Sequence, residues 1–224
     1  MEPNKDKFDV ISDAPDLRDL LYRPRLSPLP PAIHPPQGLH VLDQGKDGAC
    51  TGFGLAAVIN RLYQQQDRAE TVSPWMIYHM ARRYDEWPGE DYEGSSCRGA
   101  IKGWLNSGVC LDALYRAEDG NSPGFAQLED AKSRTIGAYY RIRPDITEMH
   151  CAIRETGTIY VSATIHDGWF SPCRNASGDM AIPPNPESVG GHAFAIVGYN
   201  GDGFWVQNSW GRDWGDNGLA LWPY

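Results

Sequence analysis

The stretch Gln44-Gly45-Lys46-Asp47-Gly48-Ala49-Cys50-Thr51-Gly52-Phe53-Gly54-Leu55-Ala56-Ala57-Val58-Ile59 decides how this 224-residue chain is read. Turn glycines at 45 and 48 give way to an apolar run in which Leu55, Val58, Ile59 and Leu62 fall at i, i+3, i+4 and i+7, the spacing of one helical face. Phe53, Ala56 and Ala57 fill in the other sides, so a buried helix is expected over 50–66. Gly52 and Gly54 inside it each cost about 1 kcal/mol relative to alanine, which points to close approach of another segment near the helix start. Cys50 opens that helix, where unpaired N–H groups and the dipole favour an anion. A thiolate, the nucleophilic form of cysteine, is easier to form there.

Two distant segments bear on the same thiol: Gly191-His192-Ala193-Phe194 and Gln207-Asn208-Ser209-Trp210-Gly211. Singly, each has an ordinary explanation as a packed thiol, a structural histidine or a turn asparagine. Jointly they supply a nucleophile, a base and an orienting group. An imidazole beside Cys50 completes a Cys–His ion pair, and a third group must hold that ring. The side-chain carbonyl of Asn208 does so without adding a charge. Gln44, six residues before Cys50, can turn its amide back towards the helix start. With the Cys50 backbone N–H it forms an oxyanion hole, whose loss raises a barrier by about 2.7–4 kcal/mol.

These segments resemble the papain-like cysteine peptidases. Gln44, Gly45 and Gly48-Ala49-Cys50 match the family pattern around the nucleophile. His192-Ala193-Phe194-Ala195-Ile196-Val197-Gly198-Tyr199 matches its histidine stretch, and Asn208-Ser209-Trp210-Gly211, followed by Trp214-Gly215 and Asn217-Gly218, its asparagine stretch. His192 lies 142 residues and Asn208 158 residues beyond Cys50, against about 130–150 for the family. The resemblance covers about 41–222. It implies Cys50 as nucleophile, His192 as general base and then acid, Asn208 as orienting group and Gln44 as oxyanion donor. Trp210 becomes the indole that shields the His–Asn hydrogen bond. Gly94-Ser95 resembles the Gly-Gly strip that pairs with an extended substrate, and with Gly191 is assigned to substrate binding. No cofactor or metal is implied.

The chain also departs from the pattern. Thr51 replaces the aromatic that usually follows the nucleophile, Asp47 replaces a disulfide cysteine, and Ser95 replaces the second glycine of the strip. Loss of the bridge suits an intracellular enzyme, and the pattern is closer to divergent bacterial members than to lysosomal or plant ones. Only 43 residues precede Gln44, so the large helical prodomain is not expected within this sequence.

The implied fold is α+β and two-lobed, with a helical lobe carrying the nucleophile and an antiparallel, β-barrel-like lobe carrying His192 and Asn208. The expected boundaries are an arm over 1–40, the helical lobe over 41–115 and the β lobe over 116–224. Residue patterns agree with this layout. Further helices are expected at 74–85 after Ser73, at 97–107 capped by Ser95 or Ser96, and at 146–155. Strands are expected at 136–143, 158–165, 192–199, 203–208 and 218–222, with Asn200-Gly201-Asp202-Gly203 as a hairpin turn. Residues 174–191, with Pro183–Pro186, read as a long irregular loop.

Composition excludes several other classes. Twenty basic against 29 acidic residues give a net charge of −9, which argues against nucleic acid or an anionic membrane as partner. Hydrophobic residues at 41%, with eight Trp and eleven Tyr, exclude a disordered chain. No signal peptide or membrane-spanning stretch is visible, so a cytoplasmic location, or export without a classical signal, is expected. Cys50, Cys97, Cys110, Cys151 and Cys173 form no CxxC pair, and most are expected to be buried thiols. His34, His40, His79, His150 and His166 lack metal-ligand spacing. Glu90-Asp91 reads as a solvated turn.

The expected activity is a cysteine endopeptidase acting on an extended polypeptide. An isopeptidase, amidase or transpeptidase would use the same triad, while a non-catalytic binding module would not need all four groups. Six of the thirteen residues from Pro24 to Pro36 are proline, which favours extended chain. The arm therefore reads either as a surface strap or as an intramolecular inhibitor lying in the cleft.

Overall fold

The computed structural model describes Phe8, Val10, Asp13 and residues 16–25, 27–85, 94–116 and 122–224; Glu90-Asp91 lies outside them. Helix α1 runs Cys50–Gln65, matching the periodicity of its sequence. Its glycines are seats for other backbone. A Cβ on Gly52 would lie 2.3 Å from the Pro74 carbonyl oxygen, and one on Gly54 would lie 3.0 Å from Phe194 N. Helix α2, Pro74–Arg83, starts where the Ser73 hydroxyl accepts the Met76 N–H, with Pro74 preset for a first turn. Helix α3, Cys97–Ser107, is capped by Ser96 rather than Ser95. A short α4, Phe125–Ala131, was not expected, and α5, Ile146–Thr156, ends on Gly157 in the left-handed region.

Six strands follow: β1 Ile159–His166, β2 Cys173–Arg174, β3 Met180–Ala181, β4 Ser188–Tyr199, β5 Gly203–Gln207 and β6 Leu219–Pro223. They form one sheet in the order β1-β4-β5-β6-β3-β2. Pairing is antiparallel except between β3 and β6. The sheet is open rather than barrel-like, because its far edge consists of two strands of only two residues each.

Strand β4 lies between β1 and β5 and is buried on both faces from His192 onward. Ala195 and Val197 join the cluster beneath α1 and α2, while Phe194 and Ile196 join a second cluster with Trp169, Tyr199 and Trp214, as side-chain alternation requires.

Two expectations are corrected. Residues 136–143 form no strand; Arg141 alone makes a bridge, parallel, to Leu21 of the arm. Tyr139 and Tyr140 sit outside the sheet, so apolar content there serves the arm and a cavity wall instead. The expected loop over 174–191 holds β2, β3 and the first turns of β4. β4 begins four residues before His192, because Ser188 to Gly191 continue the ladder to β1 despite two glycines and a register shift at His166. None of the five cysteines is disulfide-bridged; four are buried and Cys173 is exposed.

Candidate active site

Gln44 is held on Ser209, the residue after Asn208, because the loop before α1 is laced to the turn after β5. The Gln44 N–H donates to the Ser209 carbonyl at 2.9 Å and the Gly211 N–H to the Leu42 carbonyl at 3.1 Å, flanking an Asp43–Trp210 bridge. The Gln44 side chain, 1% exposed, is fixed at both ends. Ser209 Oγ donates to Oε1 at 2.6 Å, and Nε2 donates to the Asp47 carbonyl at 2.8 Å. The amide N–H₂ is thereby aimed into the turn that leads to Cys50. One of its two N–H groups is taken by Asp47.

His192 is wholly buried, and its Nε2 lies 2.8 Å from Asn208 Oδ1. An amide oxygen only accepts, so Nε2 carries the proton and Nδ1 is the basic nitrogen when the ring is neutral. Asn208 Oδ1 also accepts the Ser209 N–H at 2.8 Å, and the Asn208 N–H reaches the Gly218 carbonyl at 3.0 Å. Trp210 covers this pair with ring centroids 5.0 Å from His192, and stacks on Phe170 at 5.6 Å. Trp169 approaches the same imidazole edge-on at 6.0 Å. Nothing in the sequence singled out Trp169 or Phe170.

Cys50 is also wholly buried, in a small cluster with Cys97 and Ala193, the residue after His192. Val10 and Tyr160 pack against that cluster. Burial pushes the Cys97 thiol up to about 12, so this second sulfur stays protonated.

Two departures from the sequence pattern turn out to be bonded to each other. Thr51 Oγ1 and Ser95 Oγ lie 2.5 Å apart, both wholly buried. The Thr51 carbonyl also accepts from the Tyr160 hydroxyl at 2.7 Å. Thr51 thus ties α1 to the turn before α3 through its hydroxyl and to β1 through its carbonyl. Ser95 turns its side chain to this contact, with Gly94 buried beside it.

The arm enters here. The Gly191 N–H donates to the Phe8 carbonyl at 3.0 Å and the Val10 N–H to the Gly191 carbonyl at 3.4 Å. Phe8, 5% exposed, sets its ring edge-on to His192 at 6.1 Å, Trp210 at 5.9 Å and Phe170 at 5.6 Å. A Cβ at Gly191 would lie 2.1 Å from the Val10 carbonyl oxygen, and one at Gly190 would lie 2.6 Å from that of Phe8. Only glycine admits this backbone. Farther along, Ile33 bridges Tyr199 and the Tyr199 hydroxyl donates to the Pro30 carbonyl at 3.0 Å, so the proline-rich part does strap the surface. Phe8 and Val10, two apart among charged residues, carried a strand-like alternation that could have revealed the contact.

A buried thiol at a helix start, packed on a sheet that carries a histidine–asparagine pair, is the layout of cysteine proteases. The model of the papain family cysteine proteases matches residues 37–222, and the chain belongs to that family. Among relatives, an uncharacterized peptidase C1-like protein of Acanthamoeba polyphaga mimivirus is 28% identical over 84% of this chain and 66% of its own length. Cathepsin J of Mus musculus is 28% identical over 80% of this chain and 54% of its own. The chain thus spans about two thirds and about half of these relatives. The crystal structure of xylellain, a cysteine protease from Xylella fastidiosa, superposes with a TM-score of 0.85 at 26% identity, covering 100% of this chain and 92% of that one.

Proposed function

We propose that the chain is a latent cysteine endopeptidase in which Cys50, His192, Asn208 and Gln44 act together and the N-terminal arm inhibits them. The observation that carries the reading is the His192–Asn208 bond at 2.8 Å, made one residue away from the Ala193 against which Cys50 packs. With the thiolate formed at the start of α1, Cys50 attacks a peptide carbonyl carbon. The oxygen that becomes negative is received by the Cys50 N–H and the second N–H of the Gln44 amide. His192, protonated, gives its Nδ1 proton to the leaving amine while Asn208 keeps the ring in plane. Neutral His192 then takes a proton from water, which attacks the thioester and frees Cys50. The extended substrate runs past Gly191, with Gly94 and Ser95 forming the opposite wall.

The arm supports the latency half of this reading. Its backbone bonds both polar atoms of Gly191, and Val10 packs against the cluster that holds Cys50. A substrate strand cannot use the same groups while the arm does.

Mass spectrometry after treatment of the arm-loosened Phe8→Asp chain, with and without His192→Ala, with a thiol-directed epoxide tests the proposal. Cys50 should be the labelled cysteine, and labelling should be lost in His192→Ala. Preferential labelling of the exposed Cys173 in both proteins would contradict it.

A further inference from the structure

A cavity of about 470 Å³ lies against the cluster that holds Cys50, sharing Cys97 and Tyr160 with it. Cys97, Tyr160 and Ala163 are among its lining residues; the first two belong to or pack on the Cys50 cluster, and Ala163 is the cross-strand partner of His192. Arg98, Arg141 and Arg143 line it as well. The two carboxylates among its lining residues, Asp13 and Asp19, both come from the arm. Arg143 is engaged by Glu148 of α5, within the body of the protein.

Arg98 and Arg141 instead converge on the arm. Both terminal nitrogens of Arg98 donate to the Asp19 carboxylate, Nη2 to Oδ2 at 2.9 Å, and Arg141 Nη1 donates to Oδ2 at 3.1 Å. The Arg98 N–H donates to Asp13 Oδ1 at 3.0 Å. The Arg98 side chain is 5% exposed and the Asp19 side chain 7%, so this is a desolvated, forked pair rather than a surface contact. When the arm leaves, its carboxylates leave with it, and a guanidinium held in a largely apolar wall loses these partners at considerable cost.

We propose that this cavity is a carboxylate-selecting subsite, in which Arg98 and Arg141 receive an acidic side chain of the substrate in place of Asp19. The inference rests on the peptidase reading above and names its substrate class. Val10 packs against the cluster that holds Cys50, and Asp13, three residues on, accepts the Arg98 backbone N–H, so the arm runs from beside the thiol to Arg98 within three residues. Recognition of one carboxylate by a forked guanidinium is worth a factor of roughly ten to a hundred over the neutral isostere. An enzyme with net charge −9 otherwise repels acidic peptides, so the local reversal of sign confers selectivity.

The test uses the full chain carrying Phe8→Ala and Asp19→Asn, which loosens the arm at two anchors. Fluorogenic peptides differing only by Glu, Gln or Lys at each position near the scissile bond are compared by kcat/KM. The expected result is Glu over Gln by about tenfold or more at one position, with Lys below both. Adding Arg98→Met and Arg141→Met should bring the Glu-to-Gln ratio to about one while Gln peptides are still cleaved. Should the buried Arg98→Met chain not fold, Arg141→Gln, at a half-exposed position, should lower the ratio several-fold. Equal rates for Glu and Gln in the parent, or a ratio untouched by these substitutions, would overturn the subsite alone. Failure to cleave any peptide, with Cys50 alkylating no faster than a free thiol, would overturn the peptidase reading and the subsite with it.

Discussion

The Phe8 carbonyl accepts the Gly191 N–H at 3.0 Å, one residue before His192. The arm is thus an added strand segment on β4 at the point where that strand delivers the imidazole. Its anchor is aromatic, its latch is ionic, and the two differ in how they open.

Phe8 is the anchor to break first. Full burial of such a ring contributes roughly 1.5–3 kcal/mol, so Phe8→Asp should raise the open population by about ten- to a hundredfold. Epoxide labelling of Cys50 in the full chain should accelerate accordingly. An unchanged rate in a folded variant would show that the arm does not shield the thiol.

The latch should resist mild acid. The side-chain hydrogen bond from Arg98 holds Asp19 below the usual carboxylate value of 3.8. Because the docked-state value is lowered, the attraction is fully present above that value and is lost only as pH falls through the lowered one. Hydrogen exchange at the Gly191 amide should therefore stay protected between about pH 7 and pH 5. Opening near pH 5 would place the trigger on another group.

Gln44 should matter for chemistry more than for binding. In an arm-loosened chain, Gln44→Ala should lower kcat by about 10²–10³ with a small effect on KM. A rise in KM at unchanged kcat would assign the amide to substrate contact instead.

Gly52 tests the packing beneath the nucleophile. Alanine gains about 1 kcal/mol in helix propensity, yet its Cβ would press on the Pro74 carbonyl at 2.3 Å. Overpacking of that kind costs about 1–3 kcal/mol, so Gly52→Ala should lower the denaturation midpoint. A stabilised variant would mean that α2 moves aside freely.

Much of this was legible in the sequence for physical reasons. The period of Leu55, Val58, Ile59 and Leu62 announced α1, and its two glycines announced the close contacts with Pro74 and Phe194. The β-branched and aromatic residues from His192 to Tyr199 announced β4 but not its start, because Gly190 and Gly191 carry no side chain to show that preference. Residues 136–143 misled because their aromatics look like strand but line a cavity and meet the arm. The Thr51–Ser95 bond was hidden, since each residue looked like an isolated departure. Arg98 escaped notice because its partner Asp19 lies 79 residues away, and charge pairs at that distance leave no local pattern.

The most direct measurement is the alkylation rate of Cys50 by iodoacetamide in the Phe8→Asp chain, with and without His192→Ala, at mildly acidic pH. The account predicts that Cys50 reacts well ahead of a free thiol and that removing the imidazole abolishes the advantage. Equal, ordinary rates in both proteins would contradict it.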